Sequence, residues 1–322
     1  MELNRRNMLL QKISGSNYLV GIVLMLMLIG AQIIIPGFLG IRNVGNILKI
    51  ASFIGIAAIG QTLAILIGGI DMSISNVVTL VNIMTAQMMV GDNSNIPVTL
   101  ITILCIGAVV GTVNAFGITY FKIPPIVMTI GMGTVIQGIA LLYSKGAPKG
   151  NAAPLLRYLV NEPKIFGFTT WVVIFWVVLA IMMIVLLKMT PFGRRVFAIG
   201  NNRTTARFSG IKINRIIFTC YILSGIFAAV TGVILTGYTG TASAQAGAQY
   251  SMNSIVAVVV GGTAITGGRG GYGGTIVGVI ILTILNNILT VMNIPISGVM
   301  IAQGLIIIVM VYVYGKEKAK TW

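Results

Sequence analysis

The chain has 322 residues, of which 57% are hydrophobic and only 8% are charged. Soluble domains carry about 25% charged residues, so this composition is typical of a protein that spans the membrane several times. Its net charge of +16 does not indicate nucleic-acid binding, because most basic residues fall in short gaps between apolar runs and not on a water-exposed face. With no His and only five acidic residues, the chain lacks the usual groups for acid–base catalysis, and no catalytic residue or metal site is predicted.

Ten apolar stretches are predicted to cross the bilayer as helices. One crossing needs about 20 apolar residues, and inside lipid only helices or closed barrels satisfy their backbone polar groups. The runs are too long and too uniformly apolar for alternating barrel strands. The predicted fold is therefore an all-α polytopic membrane protein with about ten transmembrane helices in a single domain. The predicted spans are 18–35, 47–67, 74–90, 97–119, 124–143, 169–189, 216–237, 251–265, 273–292 and 297–314.

The N-terminal residues place basic side chains before the first apolar run, without a small-residue cleavage site. This pattern predicts a retained first span, preceded by a cytoplasmic tail at 1–17, and not a signal peptide. With ten spans, this orientation puts 15 of the 21 Lys and Arg residues on the cytoplasmic side, as the positive-inside rule favours, together with a C-terminal tail at 315–322. The segment 144–168 would be the longest external loop and carries four of the other basic residues, so an error in the span count is expected there.

Asp71 is the only carboxylic acid deep within the apolar pattern. An ionised Asp at a helix centre costs roughly 2.5–3.5 kcal/mol, so exposure to lipid is not expected. A structural interpretation is that Gly68 and Gly69 end one helix and Asp71 caps the next, accepting from the backbone N–H of Ser73 or Ile74.

The functional interpretation is a broken helix beside a solute path, where Asp71, Ser73 and Ser75 would meet the hydroxyl groups of a solute. The segments 64–73 (AILIGGIDMS) and 257–266 (AVVVGGTAIT) share four apolar residues, a Gly-Gly pair and polar residues. Glycine-interrupted segments at corresponding positions of two halves point to a transporter's binding site, and chance similarity in a Gly-rich chain is the alternative. Intramembrane amides commonly join helices, and three of them are further candidates for the path: Gln61, Asn114 and Asn286.

The stretch 193–215, GRRVFAIGNNRTTARFSGIKINR, holds six Arg or Lys residues and is predicted to face the cytoplasm. A positive-inside loop explains the charge alone. The pattern also predicts a short amphipathic helix along the membrane surface, capped by Asn202 or Thr204 and ended by Gly210. Three apolar side chains of this segment would then be available to dock against a partner: Ala206, Phe208 and Ile211.

No nucleotide-binding motif is found in the sequence. A P-loop needs GxxxxGK followed by Ser or Thr, whereas the one Gly-Lys pair, Gly315-Lys316, is followed by Glu317. Residues 268–273 satisfy GxGxxG, but a dinucleotide-binding fold needs an acidic residue about 20 positions on, and none lies between Glu162 and Glu317. These glycines are instead predicted to form a tight cytoplasmic turn and a close helix contact, and no cofactor is expected in this chain.

Four stretches, taken in order, resemble the permease subunits of ABC importers of the ribose, xylose and galactoside type: ILIGGIDMSISN, GTVNAFGITYFKIPPIVMTIG, GRRVFAIGNNRTTARFSGI and AVVVGGTAITGGRGGYGGTIVGVIILTILNN. The resemblance covers roughly residues 45 to 315. It implies a plasma (inner) membrane permease for a monosaccharide or similar small polar solute. Its partners would be a second permease subunit, in a homo- or heterodimer, an ABC ATP-binding subunit and an extracytoplasmic solute-binding protein. ATP would be bound and hydrolysed by the ATP-binding partner, so this chain is not expected to be an enzyme.

In such importers the loop between the sixth and seventh spans couples the permease to the ATP-binding subunit, and here that loop is 190–215. The coupling residues that the resemblance implies are Gly200, Asn201, Asn202, Arg203, Ala206, Arg207, Ser209 and Gly210. The chain departs from the family pattern at Ser75 and Asn76, where Gly-Ser is usual, and at Ala115, where Gly is usual, which leaves the substrate open. The alternatives are a permease for nucleosides or branched-chain amino acids, and an ion-coupled secondary transporter with Asp71 as the proton or cation site.

Overall fold

A computed structural model describes residues 16–162, 169–295, 297–306 and 308 of the chain. All regular structure in these residues is helical, without a β-strand, which confirms the all-α prediction. The helices are α1 (Ser16–Ile34), α2 (Ile41–Leu66), α3 (Ile74–Met89), α4 (Ile96–Thr119), α5 (Pro125–Ser144), α6 (Pro154–Asn161), α7 (Trp171–Met189), α8 (Pro191–Asn201), α9 (Arg203–Phe208), α10 (Ile213–Thr239), α11 (Tyr250–Val260), α12 (Tyr272–Val291) and α13 (Ser297–Ile306).

Six helices within the described residues are long and apolar enough to cross a membrane: α2, α4, α5, α7, α10 and α12. Four shorter apolar helices, in α1, α3, α11 and α13, coincide with the other predicted spans. At 1.5 Å per residue, α11 extends about 16 Å, roughly half of the ~30 Å hydrocarbon core. The polytopic fold is thus confirmed, while the count of ten crossings stays a prediction. Most of the tail at 1–17, the end of the tenth span and the tail at 315–322 lie outside the described residues.

Helix α10 lies at the centre of the bundle, in contact with α2, α3 and α4. Its crossing with α4 brings two backbones together, because Gly107 and Gly111 of α4 face Tyr221 and Gly225 of α10. An added Cβ at Gly107 would lie 2.5 Å from the carbonyl oxygen of Gly225, and one at Gly111 would overlap that of Tyr221. Small residues four apart allow such close helix packing in membranes, so this crossing tolerates no side chain at either glycine.

Helices α11 and α12 form a second glycine crossing. An added Cβ at Gly261 would lie 2.4 Å from the carbonyl oxygen of Gly274, and one at Gly278 would overlap the carbonyl oxygen of Ala257. Helix α12 is joined to the rest of the core by hydrogen bonds. Thr275 Oγ1 lies 3.1 Å from Thr62 Oγ1 of α2. The two tight crossings therefore belong to a connected core built around α2.

Each Gly-Gly pair of the two similar segments ends a helix, as was predicted for Gly68 and Gly69, whereas the predicted span 251–265 is interrupted at its glycine pair. Helix α2 ends at Leu66 and is followed by Gly68 at φ +75°, and α11 ends at Val260 and is followed by Gly262 at φ +87°. Positive φ is readily adopted by Gly and rarely by other residues. The likeness of segments 64–73 and 257–266 therefore has a structural counterpart, since each Gly-Gly pair stops a helix.

The segment predicted as an external loop, 144–168, contains the short helix α6, which the sequence analysis did not predict. Its eight residues are strongly amphipathic, with Val160 buried, and they are too few to give a clear periodic pattern. Residues 163–168 of this loop lie outside the described part. Between α3 and α4 lies a 3₁₀ helix, Asn93–Asn95, whose N-cap Asp92 accepts from Ser94 N through Oδ1 at 2.9 Å. This hydrogen bond lowers the pKa of the exposed Asp92 carboxyl below its ordinary value.

Candidate functional site

Asp71 is the centre of a buried polar cluster between α2, α3, α4 and α10. Its Oδ1 accepts from Ser73 N at 3.0 Å and from Ser73 Oγ at 2.6 Å. Its Oδ2 accepts from Ser224 Oγ of α10 at 2.6 Å. Asn114 Nδ2 of α4 donates to Ser73 Oγ at 3.0 Å. All four residues are at most 1% exposed, so both carboxylate oxygens of Asp71 are satisfied by protein groups and not by bulk water, while Asn114 Oδ1 has no hydrogen-bond partner among the described residues.

The predicted hydrogen bond from the backbone N–H of Ser73 to the Asp71 carboxyl group is present, but Asp71 is not the cap, because the N-cap of α3 is Ser73, two residues later. The contact with Ser224 was not predicted. It lies 153 residues away in sequence, and a single serine in an apolar run carries no local signal. The carboxyl group therefore both shapes the start of α3 and ties that start to the central helix α10.

The starts of the two short helices, α3 and α11, meet next to this cluster. Ser75 N donates to Ser251 Oγ at 2.9 Å, and Ser251 Oγ donates to Met72 O at 3.1 Å. One turn further along α3, Gly247 N donates to Thr79 Oγ1 at 3.0 Å. Backbone N–H groups at helix starts carry partial positive charge. In this region such groups are paired with hydroxyl groups of the facing segment, so the two helix starts are joined by a polar contact inside the bundle.

The polar run that precedes α11, residues 241–249, packs back into the bundle beside α3. Ser243 N donates to Asn82 Oδ1 at 2.8 Å, and Asn82 Nδ2 donates to Thr236 Oγ1 of α10 at 2.9 Å. Within this run Gln245 is exposed. Asn82 therefore holds the run against α3 and α10, and irregular backbone at this depth is tolerated where it is buried in protein or lines a cavity.

The remaining predicted path residues are distributed differently. Gln61 on α2 is fully buried, and neither amide atom has a hydrogen-bond partner among the described residues. Unsatisfied buried polar groups are uncommon and need an explanation, such as an ordered water or a ligand. Asn286 lies on α12, where its Oδ1 accepts from Gln303 Nε2 at 3.1 Å. The structure thus groups Asp71, Ser73 and Asn114 in one cluster, with Ser75 directly after it, and pairs Asn286 with α13 instead.

The predicted short helix at 202–210 is present as α9. Asn202 Oδ1 accepts from Thr205 N at 3.0 Å as the N-cap, and Gly210 follows the helix at φ +76°. Ala206 is buried in the core, so the prediction that it is available to dock against a partner is wrong, whereas Phe208 is 87% exposed. Of the predicted docking side chains, Phe208 is thus the one that lies open on the surface.

The coupling residues divide into an inner and an outer set. Gly200, Asn201 and Arg203 face the membrane helices: an added Cβ at Gly200 would overlap Leu66 O, and Arg203 Nη2 donates to Ile67 O at 3.2 Å. The outer set, Arg207, Ser209 and Gly210, lies at the end of α9 and is exposed, as are Asn201 and Arg203, so the two sets differ in their contacts and not in their exposure. The segment is therefore two-sided, with one side fixed to α2 and the other turned away from it.

Helix α8, which precedes α9, was not predicted. Thr190 is its N-cap, Pro191 is its first helical residue, and Thr190 Oγ1 accepts from Gly193 N at 3.4 Å. Proline is favoured at the first position of a helix, so the signal for a helix start was in the sequence. Helices α8 and α9 together make the loop 190–215 a structured unit.

Comparison with known proteins gives matches along most of the chain. Residues 43–313 match the family model described as "Branched-chain amino acid transport system / permease component". The chain is 35% identical over 298 residues to the ribose import permease protein of Bacillus subtilis (strain 168), covering 92% of each chain. It is 32% identical over 297 residues to the ribose import permease protein of Haemophilus influenzae, covering 90% of each. It is also 32% identical over 322 residues to the galactose/methyl galactoside import permease protein of Escherichia coli (strain K12), covering 95% of each. No solved structure gives a significant match.

Proposed function

The chain belongs to this family of transport-system permease components, and we propose that it is the membrane-spanning subunit of a binding-protein-dependent ABC importer for a monosaccharide. The observation that carries the proposal is the similarity of nearly the whole chain to permeases that import ribose or galactosides. The chain supplies the path across the membrane, and it is not itself an enzyme.

The chemistry of the candidate path supports a sugar as the cargo. The groups that converge where α3 and α11 begin are serine hydroxyls, backbone N–H groups and an amide. A polyol is uncharged and is bound through many weak hydrogen bonds. A zwitterionic amino acid would favour charged partners, but both oxygens of Asp71, the acidic residue at this site, already accept from serine hydroxyls.

The partners follow from the importer architecture. An ABC ATP-binding subunit docks on the outer side of α9, against Arg207 and Phe208, and binds the ATP, so that this chain needs no cofactor. An extracytoplasmic binding protein delivers the sugar, and a second permease subunit completes the path. The protein lies in the plasma membrane with both termini on the cytoplasmic side, the side to which the Lys and Arg distribution assigns α8 and α9.

In the proposed mechanism, the short helices α3 and α11 are the part of the path that moves. Sugar released by the binding protein reaches the region where α3 and α11 begin. ATP binding and hydrolysis in the partner displace α8 and α9. This displacement switches the polar region between outward and inward access, and the sugar leaves on the cytoplasmic side.

The test is uptake by the assembled complex in proteoliposomes. The permease is co-expressed with its ATP-binding subunit, reconstituted, and supplied with the binding protein. Uptake of radiolabelled ribose, galactose, leucine and adenosine is measured with ATP inside, with an uncoupler, and with an ATP-binding subunit that cannot hydrolyse ATP. We expect ATP-dependent uptake of a monosaccharide that is insensitive to the uncoupler and absent with the inactive partner.

Two outcomes would overturn the proposal. Uptake of leucine or adenosine in preference to both sugars would assign the chain to a different cargo class within the family. Accumulation driven by an ion gradient without ATP would assign it to the secondary transporters, with Asp71 as the natural ion site to examine next.

A further inference from the structure

Three distant parts of the chain meet at the C-terminal end of α2, and we name this meeting the glycine junction: residues 66–69, 200–203 and 267–268. Gly268 N donates to Leu66 O at 3.0 Å. Arg203 Nη2 donates to Ile67 O at 3.2 Å. Gly200 leaves no room for a side chain, because an added Cβ would overlap Leu66 O and lie 2.8 Å or less from the backbone of Gly268. The three segments are in direct backbone contact.

Arg203 places a positive charge at the C-terminal end of α2, where the partial charge is negative. The last carbonyl groups of a helix have no partner within it and carry partial negative charge. Helix α2 has 26 residues, and after it the chain turns away at Gly68, so the carbonyl groups of Leu66 and Ile67 take donors from other segments. A guanidinium group is well suited to this position, because it combines positive charge with several N–H donors.

The junction is joined to the Asp71 cluster by a short and restrained piece of chain. Asp71 follows Ile67 by four residues. Thr129 of α5 restrains this piece, since its Oγ1 donates to Ile70 O and accepts from Met72 N, both at 3.1 Å. Gly69 lies against the ring hydroxyl of Tyr221, where an added Cβ would come within 2.5 Å. Because this connection is short and restrained, a displacement of the α2 end also displaces Asp71.

We propose that Arg203 is a positioning residue that locks the coupling segment to the end of α2, so that the glycine junction transmits the movement of α8 and α9 to the Asp71 cluster and the start of α3. This inference rests on the proposed importer function and adds a division of labour within α9. Arg203 acts on the permease itself, whereas Arg207 and Phe208 on the outer side act on the ATP-binding subunit.

The experiment compares substitutions of two arginines on the same short helix. Arg203→Ala, Arg203→Lys, Arg203→Gln and Arg207→Ala are each assembled with the ATP-binding subunit and the binding protein in proteoliposomes. Three quantities are measured: co-purification of the ATP-binding subunit, the rate of ATP hydrolysis with and without sugar, and sugar taken up per ATP hydrolysed. The ratio of uptake to hydrolysis separates transmission of movement from simple loss of folding or assembly.

For Arg203→Ala we expect normal co-purification and continued ATP hydrolysis, with uptake per ATP reduced about tenfold, the scale of one hydrogen bond from a charged donor. Arg203→Lys, which keeps the charge and a donor, should recover most of the coupling, and Arg203→Gln should recover less. Arg207→Ala should instead weaken co-purification and reduce hydrolysis and uptake in parallel.

Unchanged uptake per ATP in Arg203→Ala would overturn the inference. A parallel loss of co-purification and hydrolysis in all three Arg203 variants would also overturn it, because Arg203 would then be a contact to the motor. If Arg203→Ala does not fold, uptake per ATP is compared between Arg203→Lys and Arg203→Gln. A higher value for the Lys variant supports the inference, and an equal or lower value overturns it. The proposed importer function is tested separately by the wild-type complex, which takes up sugar with ATP or fails to do so whatever the behaviour of these variants.

Discussion

Replacing Ser224 by Ala should measure how strongly the Asp71 cluster stabilises the bundle. The substitution removes the one donor from α10, at 2.6 Å from Oδ2 of Asp71, and leaves both contacts from Ser73 to Oδ1 in place. Ser224 and Asp71 are at most 1% exposed, so bulk water does not replace the lost donor.

The expected magnitude follows from the type of hydrogen bond. A hydrogen bond to a buried carboxyl group contributes about 1–3 kcal/mol, whereas side-chain hydrogen bonds between membrane helices average about 0.6 kcal/mol. We therefore expect Ser224→Ala to lower the free energy of unfolding by about 1–3 kcal/mol. Ser144→Ala is the matched control, because Ser144 is also buried but its Oγ donates within its own helix, to Ala140 O at 2.8 Å. Its loss should change stability by no more than about 0.5 kcal/mol.

The assay is reversible unfolding of the purified permease in mixed micelles with increasing sodium dodecyl sulfate, followed by far-ultraviolet circular dichroism. Asp71→Asn and the double variant with Ser224→Ala complete a mutant cycle that isolates the pairwise energy. Equal losses for Ser224→Ala and Ser144→Ala, or a coupling energy below about 0.5 kcal/mol, would refute the view that this contact holds α3 to α10.

Three further predictions concern glycines and one buried indole. Gly111→Ala should destabilise the fold by about 1–3 kcal/mol, because its Cβ would overlap a backbone carbonyl of α10. Gly131→Ala on α5, with open space around the added Cβ, should instead stabilise the fold by about 0.5–1 kcal/mol through its higher helix propensity and so raise the thermal midpoint. Scanning fluorimetry measures the midpoints of both variants, and a shift of both in the same direction would contradict the described packing. Gly200→Ala should abolish ATP-driven uptake, whereas Gly138→Ala on α5, with open space around the added Cβ, should retain uptake; similar uptake by both would argue against the glycine junction. Trp176→Phe removes an indole N–H that donates to the hydroxyl of Tyr272 on α12 at 2.8 Å, and it should lower the free energy of unfolding by about 0.5–1.5 kcal/mol. The same unfolding titration measures this loss, and an unchanged midpoint would exclude a stabilising role for this hydrogen bond.

The parts of the fold that depend on local pattern could be predicted from the sequence. Apolar runs of sufficient length predicted the helices, and the glycine pair at 68–69 predicted the end of α2, because backbone conformation there is limited by the residue itself. The predicted span 251–265 was too long, since α11 ends at Val260, before the glycine pair at 261–262. The cap at Asn202 and the end at Gly210 were predicted for the same reason. Asp71 was predicted to accept from Ser73 because the two residues are neighbours in the chain.

The contacts between distant segments could not be predicted in this way. Ser224 and Ser251 are small polar residues in apolar surroundings, and only the packing of α10 and α11 against α3 gives them a role. Arg203 was assigned to the contact with a partner from its position in the loop, but its guanidinium reaches a carbonyl group 136 residues earlier. Many arrangements of membrane helices satisfy the same helix lengths, so these contacts do not follow from the lengths and apolar pattern alone.

The short length of α11 also bears on how the chain is built into the membrane during synthesis. A segment enters the bilayer by itself when it is long and apolar enough to cross, and α11 offers 11 residues that follow the polar run 241–249. It must therefore be inserted as a hairpin with α12, whose glycine face receives it. A nascent chain that stops before Tyr272 leaves α11 at the translocon. Insertion of α11 into the bilayer therefore waits until α12 has emerged from the ribosome.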